Sequence, residues 1–410
     1  MTAMKQIHLL IFATLLASGC GSACGGANPG SNANRDAGPE LDIALQDAEP
    51  RDADPDGSDA TDDGGRPVGI QYDYCDQDLF KLHFGPTEDF VSLFLHDHYV
   101  VSSRWVDYPE QNTLHDLYML DLHECKEYML IKAPRVQAAG SMLGKEIVGS
   151  DSSYENYTSE LFLYDIEQWN YTRLTFTPGS EGHPRYNGRH LIYWDGNDAP
   201  EGGKYGLTLW DMQTDEKTTL ASWQSAPEVH ELSDRYAAWT AYSFDPPGYG
   251  KDVFYHDLQT STTTRIESTG QFHTTFLDLD GDRIVWMEND NDHYNVILYE
   301  IETGEETRLT GDGNDHMYPL IRKNLVVFAT YRYAGGRFVA DPAHRDLELY
   351  DLDTGVSRRI TKESTTWTPR KFDPPWLLFV KALGSHKFEV YVMNMLKAGV
   401  IDEAGNLIPE

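Results

Sequence analysis

A unit of about forty-five residues recurs seven times along the chain, and no other property restricts the fold so tightly. The clearest copy is 282–310, which reads as three short strands at 284–287, 296–301 and 306–310. Thr303-Gly304 turns the last hairpin, because glycine tolerates the positive φ that a tight turn needs. The middle strand aligns at 117–122, 161–166, 207–212, 253–258, 296–301, 347–352 and 388–393. Successive starts lie 44, 46, 46, 43, 51 and 41 residues apart, which is the period of a four-stranded propeller blade.

Each copy carries an apolar strand ahead of the middle one, and a shorter stretch before that, such as Pro184-Arg185-Tyr186, supplies an innermost strand. Trp194, Trp239, Trp286, Phe328 and Phe379 align and are expected to fill the wedges between neighbouring sheets. Asp121, Asp165, Asp211, Asp257, Glu300 and Asp351 precede the last residue of the middle strand, where an acceptor can hold the next turn's N–H groups. The last copy lacks an outer strand, and 78–84 matches the missing pattern at the other end of the chain. The expected fold is therefore an all-β, seven-bladed propeller over 68–396, closed by an N-terminal strand that completes the last blade. Residues 397–410 read as a C-terminal tail. Cys75 enters the closing strand and Cys125 lies in the matching hairpin of the first blade, which makes a disulfide between them an open possibility.

Residues 1–20 have the form of an export signal: Lys5 as positive flank, an apolar core at 7–17, then small residues. The ending Leu-Ala-Ser-Gly-Cys resembles the lipobox of bacterial lipoproteins, with Leu16 one residue further from the cysteine than is usual there. That resemblance implies lipidation at Cys20 and, with Gly21 after it, an outer-membrane location in the cell envelope. Residues 21–67 carry 11 acidic and 3 basic side chains and few apolar ones, as a disordered acidic linker does. An Asp pattern at 52–63 matches calcium-loop spacing, but without flanking helices it reads as solvated linker. The whole chain has 33 basic against 66 acidic residues, which argues against nucleic acid as a partner and leaves the lipid as its tie to a membrane.

The pattern Asp-Arg-Ile-Val-Trp … Leu-Tyr-Asp-Leu-x-Thr-Gly-x-x-x-Arg-Leu-Thr, best at 283–310 and 325–361, resembles the TolB-like (WD40-like) propeller repeats of exported bacterial proteins. It covers about 78–395 and is specific for fold more than for activity. TolB itself has six blades and an extra N-terminal domain, so the likeness is to the repeat.

Three histidines, His183, His273 and His316, recur near the start of inner strands, where a ring would bring them toward the channel. Convergent imidazoles suit a divalent transition metal. The oligogalacturonate lyases, a seven-bladed group of similar build, hold manganese with channel-mouth histidines and act on acidic sugars. Histidines on surface loops, with no metal, are the plainer reading. No nucleophile elbow, zinc spacing or phosphate loop is present, and no catalytic residue is assigned. The sequence thus points to a monomeric, lipid-anchored envelope propeller that is a non-catalytic scaffold for a protein or glycan at its loop face. The alternative is a metal-dependent, polysaccharide-active enzyme with its site at the channel mouth.

Overall fold

The structure, a computed structural model, describes residues 67–83, 90–108, 111–132, 137–152, 158–197, 205–225, 227–243, 250–266, 272–290, 293–331, 345–361, 367–384 and 387–409. The signal-like segment with Cys20 and nearly all of 21–67 lie outside these residues. Seven antiparallel sheets follow one another along the chain, six with four strands and the first with a fifth. Their inner strands are Phe90–His96, Gln137–Leu143, Glu181–Tyr186, His230–Leu232, Phe272–Asp280, Asp315–Arg322 and Trp367–Asp373, in blades 1 to 7.

Closure follows the expectation. Leu79–Leu82 is the outer strand of blade 7, with Leu79 opposite Met393 and Leu82 opposite Val390. Just before it, Ile70–Gln71 pairs with the outer strand of blade 1. One short stretch of chain therefore staples the first and last sheets together. The Sγ atoms of Cys75 and Cys125 are bonded within that staple, with the Cα atoms 5.5 Å apart.

Register explains the core. Counted from the start of each second strand, the third position is Val101, Val148, Ile192, Ala238, Val285, Val327 and Leu378, all fully buried. Sheets buried on both faces select such unbroken apolar runs. The fourth position holds the large aromatics, with one correction to the sequence alignment. Tyr193, opposite Thr208, stands where Trp239, Trp286, Phe328 and Phe379 stand, and Trp194 falls one position later. A shift of one residue reverses the face of a strand side chain. In blade 2 the fourth position is Gly149, and Phe162 from the next strand fills the wedge; a Cβ on Gly149 would lie 2.5 Å from its ring.

The repeated acids cap turns as expected. Asp121 Oδ1 accepts from the N–H groups of His123 and Glu124 at 2.9 and 3.0 Å, and Asp165 and Asp351 do the same. Glu300 differs, taking the Thr303 hydroxyl at 3.2 Å. The C-terminal stretch also departs from its reading as a tail. Ala398, Val400, Ile401 and Leu407 are buried in one cluster with Leu325, Trp367 and Phe379, so the end of the chain seals the seam between blades 6 and 7. Glycines made this stretch look unpatterned; Gly399 and Gly405 in fact take the positive φ its turns need.

Candidate functional site at the channel

Inner strands are irregular in one recurrent way. Pairing to the second strand skips between Ala139 and Ser141, Gly182 and Arg185, Thr275 and Asp278, Met317 and Leu320, and Pro369 and Lys371. These are β-bulges, which re-aim the side chains around them. His183, Phe276 and Tyr318 occupy the bulges with φ of 53°, 54° and 59°, a left-handed conformation costly for residues with a Cβ. Gly140 is required in blade 2, since a Cβ there would lie 2.4 Å from the Pro184 carbonyl oxygen.

Immediately after the bulges, one register position is shared around the ring. It holds Phe94, Ser141, Arg185, Glu231, Asp278, Leu320 and Lys371, each opposite the third residue of its second strand. Contacts between non-adjacent blades show that these side chains meet across the channel. Lys371 Nζ of blade 7 lies 3.9 Å from Glu231 Oε1 of blade 4 and 5.0 Å from the Phe94 ring centroid. Arg185 grips Glu231 with two N–H···O bonds of 2.8 and 3.2 Å and gives a third, of 2.7 Å, to the Gly140 carbonyl. Arg322 pairs with Asp278 at 2.9 Å, and Asp278 also accepts the Ile321 N–H at 2.8 Å.

Three cations and two carboxylates thus form a lattice across the channel of an otherwise acidic protein. Burial pushes the Glu231 carboxyl up, but Arg185 and then Lys371 outweigh it and hold the pKa at about 2. Burial lowers the Lys371 ammonium against the pull of Glu231, and raises the Asp278 carboxyl against the pull of Arg322. The lattice plugs the channel and forms a floor beneath its loop-face mouth.

Inner strands run from the loop face toward this floor, so the bulge residues form the tier above it. On one side His183 packs on Trp194, ring centroids 4.1 Å apart, and Trp194 stacks on Tyr205 at 5.8 Å. His230 Nε2 donates to the His183 carbonyl at 2.6 Å, which leaves Nδ1 as an acceptor. That Nδ1 and the Trp194 Nε1–H are buried without a hydrogen-bond partner. Burial, then the neighbouring His230 and Arg185, lowers the His183 pKa to about 3; burial, then Arg185, lowers His230 to about 4. Both rings are therefore neutral at pH 7. His183 keeps much of its surface exposed within the channel.

On the other side of the tier are Tyr318, Arg370 and Arg345. The Phe276 and Tyr318 rings meet edge to face at 4.5 Å. Arg345 opens the third strand of blade 6, its guanidinium 4.3 Å from the Tyr331 centroid and 6.0 Å from that of Tyr318. It donates to Thr368 Oγ1 at 3.0 Å.

Of the three expected metal ligands, His183 and His316 do not share a level of the ring. His316 occupies the second residue of its inner strand, opposite Thr330, whereas His183 stands further along its own strand, in the bulge. Glu181, not His183, is the approximate counterpart of His316 in blade 3. Both ring nitrogens of His316 are engaged, Nδ1 with Thr330 Oγ1 at 3.1 Å and Nε2 with Asp312 Oδ1 at 2.8 Å, so neither is offered to an ion. The His273 side chain lies outside the described residues. Among the described residues no group of three or more His, Cys, Asp or Glu could hold a metal. A groove of about 570 Å³ lies on the opposite face, lined by Asn187, His190 and Asp234 among others, away from the channel tier.

No family model matches the chain, and no curated protein matches it. Solved structures do. The β-propeller domain of the Trilobed protease from Pyrococcus furiosus is 14% identical with a TM-score of 0.57, over 74% of this chain and 92% of that one. That domain is described as an open velcro topology, whereas here an N-terminal strand completes the last sheet. Acylaminoacyl peptidase from Pyrococcus horikoshii is 14% identical with a TM-score of 0.56, over 74% of this chain, which spans only 51% of that protein's length. An oligogalacturonate lyase in complex with manganese is 14% identical with a TM-score of 0.51, over 72% of this chain and 86% of that one. At such identities the likeness establishes the propeller fold alone.

Proposed function

We propose that the chain is a non-catalytic binding propeller, tethered to the cell envelope by a lipid on Cys20, that captures a protein or glycan partner at its loop face. The lattice of Arg185, Glu231, Lys371, Asp278 and Arg322 carries this reading. It closes the channel with side chains that neutralise one another and leaves a shallow mouth of aromatic rings and guanidinium groups above. Stacking surfaces and charged donors are the materials of recognition. Of the histidines that an oligogalacturonate-lyase-like metal site would use, His316 is spent within the protein and His183 is set apart from it, which supports binding over metal-dependent chemistry.

The test uses full-length protein and a Cys20→Ser variant in the native host. The parent should fractionate with membranes and the variant with soluble protein. Detergent-extracted parent, immobilised, should retain an envelope component that is lost when Tyr205 and Tyr331 are both changed to Ala. Depolymerisation of uronate polymers by purified protein, dependent on added manganese, would refute the non-catalytic reading.

A further inference from the structure

Arg370 occupies the bulge of blade 7, and among the described residues its guanidinium makes no hydrogen bond and no ion pair. Its Nε is buried without a partner, as is the Nε of Arg345. Arg370 is half-buried, and the groups that act on it are the Tyr318 phenol and the second cation, Arg345. Among the described residues neither arginine is paired with a carboxylate, although the chain carries twice as many acidic as basic residues.

A guanidinium partly withdrawn from water with no carboxylate beside it is expensive, because its charge loses hydration without gaining a counter-charge. Two of them side by side add like-charge repulsion. Elsewhere in this channel each cation has its acid: Arg185 and Lys371 have Glu231, and Arg322 has Asp278. The floor is therefore neutralised to within one charge, while the tier above it has an excess of cations. Guanidinium groups present forked donors that match planar or tetrahedral oxyanions, and aromatic walls exclude competing water. Tyr318 and Tyr331 provide such walls against Arg345.

We infer that Arg370 and Arg345 form an oxyanion-binding subsite at the loop-side mouth of the channel, which takes one carboxylate or phosphate group of a ligand. The inference rests on the loop face being the binding face and adds the chemical class of what is bound there. The neutralised lattice beneath stops the ligand, so a terminal or protruding anionic group enters, not a thread through the ring. No covalent step is involved.

The experiment is thermal unfolding of the purified chain in sodium chloride, sodium acetate and sodium phosphate at matched ionic strength. The parent should show a saturable rise in Tm with acetate, phosphate or both, beyond chloride. Response to acetate alone identifies a carboxylate, and response to phosphate alone a phosphoryl group. Arg370→Met and Arg345→Met should each weaken apparent affinity roughly tenfold to a hundredfold, as expected on losing a charged hydrogen-bonding partner. Arg235→Met, at an exposed pair on the opposite face, should leave the response unchanged. In chloride alone, Arg370→Met should melt higher than the parent, because it removes a charge that nothing compensates. The inference is overturned if neither anion acts beyond chloride, or if both arginine variants respond like the parent. Partner capture at the loop face would survive such a result, so the two failures are distinguishable.

Discussion

Replacing Glu231 by Gln tests the channel floor most directly. The change keeps shape and one acceptor oxygen but removes the charge that holds Arg185 by bonds of 2.8 and 3.2 Å and Lys371 at 3.9 Å. It also points an amide N–H₂ at a guanidinium. Breaking a buried pair by removing one partner costs about 3–5 kcal/mol, because the other charge stays behind uncompensated. At about 2 °C per kcal/mol for a chain of this size, Tm should fall by roughly 6–10 °C at neutral pH. The loss should have a pH signature. Burial already lowers the Lys371 ammonium, and Glu231 opposes that shift. Without Glu231 the folded-state pKa drops further below the unfolded value, so the cost attached to Lys371 is present at neutral pH and fades as pH rises toward its unfolded pKa. The gap between Glu231→Gln and parent should narrow at alkaline pH. Replacing Arg185, Glu231 and Lys371 together by Met, Leu and Met should recover much of the loss, since an apolar core needs no pairing. A Tm within a degree or so of the parent, or a gap independent of pH, would refute the cross-channel contact.

Other expectations follow from single features. Reduction of the Cys75–Cys125 bond should lower stability by about 2–5 kcal/mol, read by melting with and without reductant, while intact mass shows the gain of two hydrogens; two thiols in protein isolated without reductant would remove the staple. His230, with its folded pKa lowered from 6.5 to about 4, stabilises fully above pH 6.5 and loses that contribution as pH falls toward 4, by a little more than about 1 kcal/mol per pH unit. His230→Gln should therefore melt with a shallower dependence between about pH 7 and pH 5, and parallel curves would contradict the shift. Gly140→Ala places a Cβ 2.4 Å from the Pro184 carbonyl and should cost about 1–3 kcal/mol; a neutral result would mean that blades 2 and 3 do not approach so closely.

The sequence made the blades legible because each unit repeats two signals that are local in cause. Alternating or continuous apolar runs locate the second and third strands, and Thr303-Gly304, Thr354-Gly355 and Asn187-Gly188 mark hairpins that flank them. The closing strand was visible for the same reason, as an outer-strand pattern displaced to the wrong end of the chain. What was not visible was register. Tyr193 and Trp194 are neighbours and both aromatic, so alignment on tryptophan alone chose the wrong one. The alignment of His183 with His316 slipped similarly, because a bulge adds residues to the inner strand that its partner does not show. The charged floor was missed altogether. Arg185, Glu231, Asp278 and Lys371 each look like an isolated surface charge until bulges and pairing place them at one level. A signal existed, namely a charge five residues ahead of the second strand in four of the seven blades, but the inner strands are the least patterned part of the repeat.

Closure and plugging belong to one design. A propeller held by hydrogen bonds between its first and last sheets resists opening at that seam, and here the seam also carries the Cys75–Cys125 bond and the buried cluster of Tyr74, Phe80, Leu95 and Trp376. The lattice ties blades 3, 4 and 7 from the inside, and its second pair ties blades 5 and 6. A ring clamped at its rim and its centre has little freedom to part its blades. Passage through the channel is then closed from within, and the channel residues left open on the loop side are those above the floor. The same argument explains why the cations above it matter. In a rigid ring an unpaired guanidinium cannot relax toward a distant acid, so its charge stays available to whatever enters from the loop face.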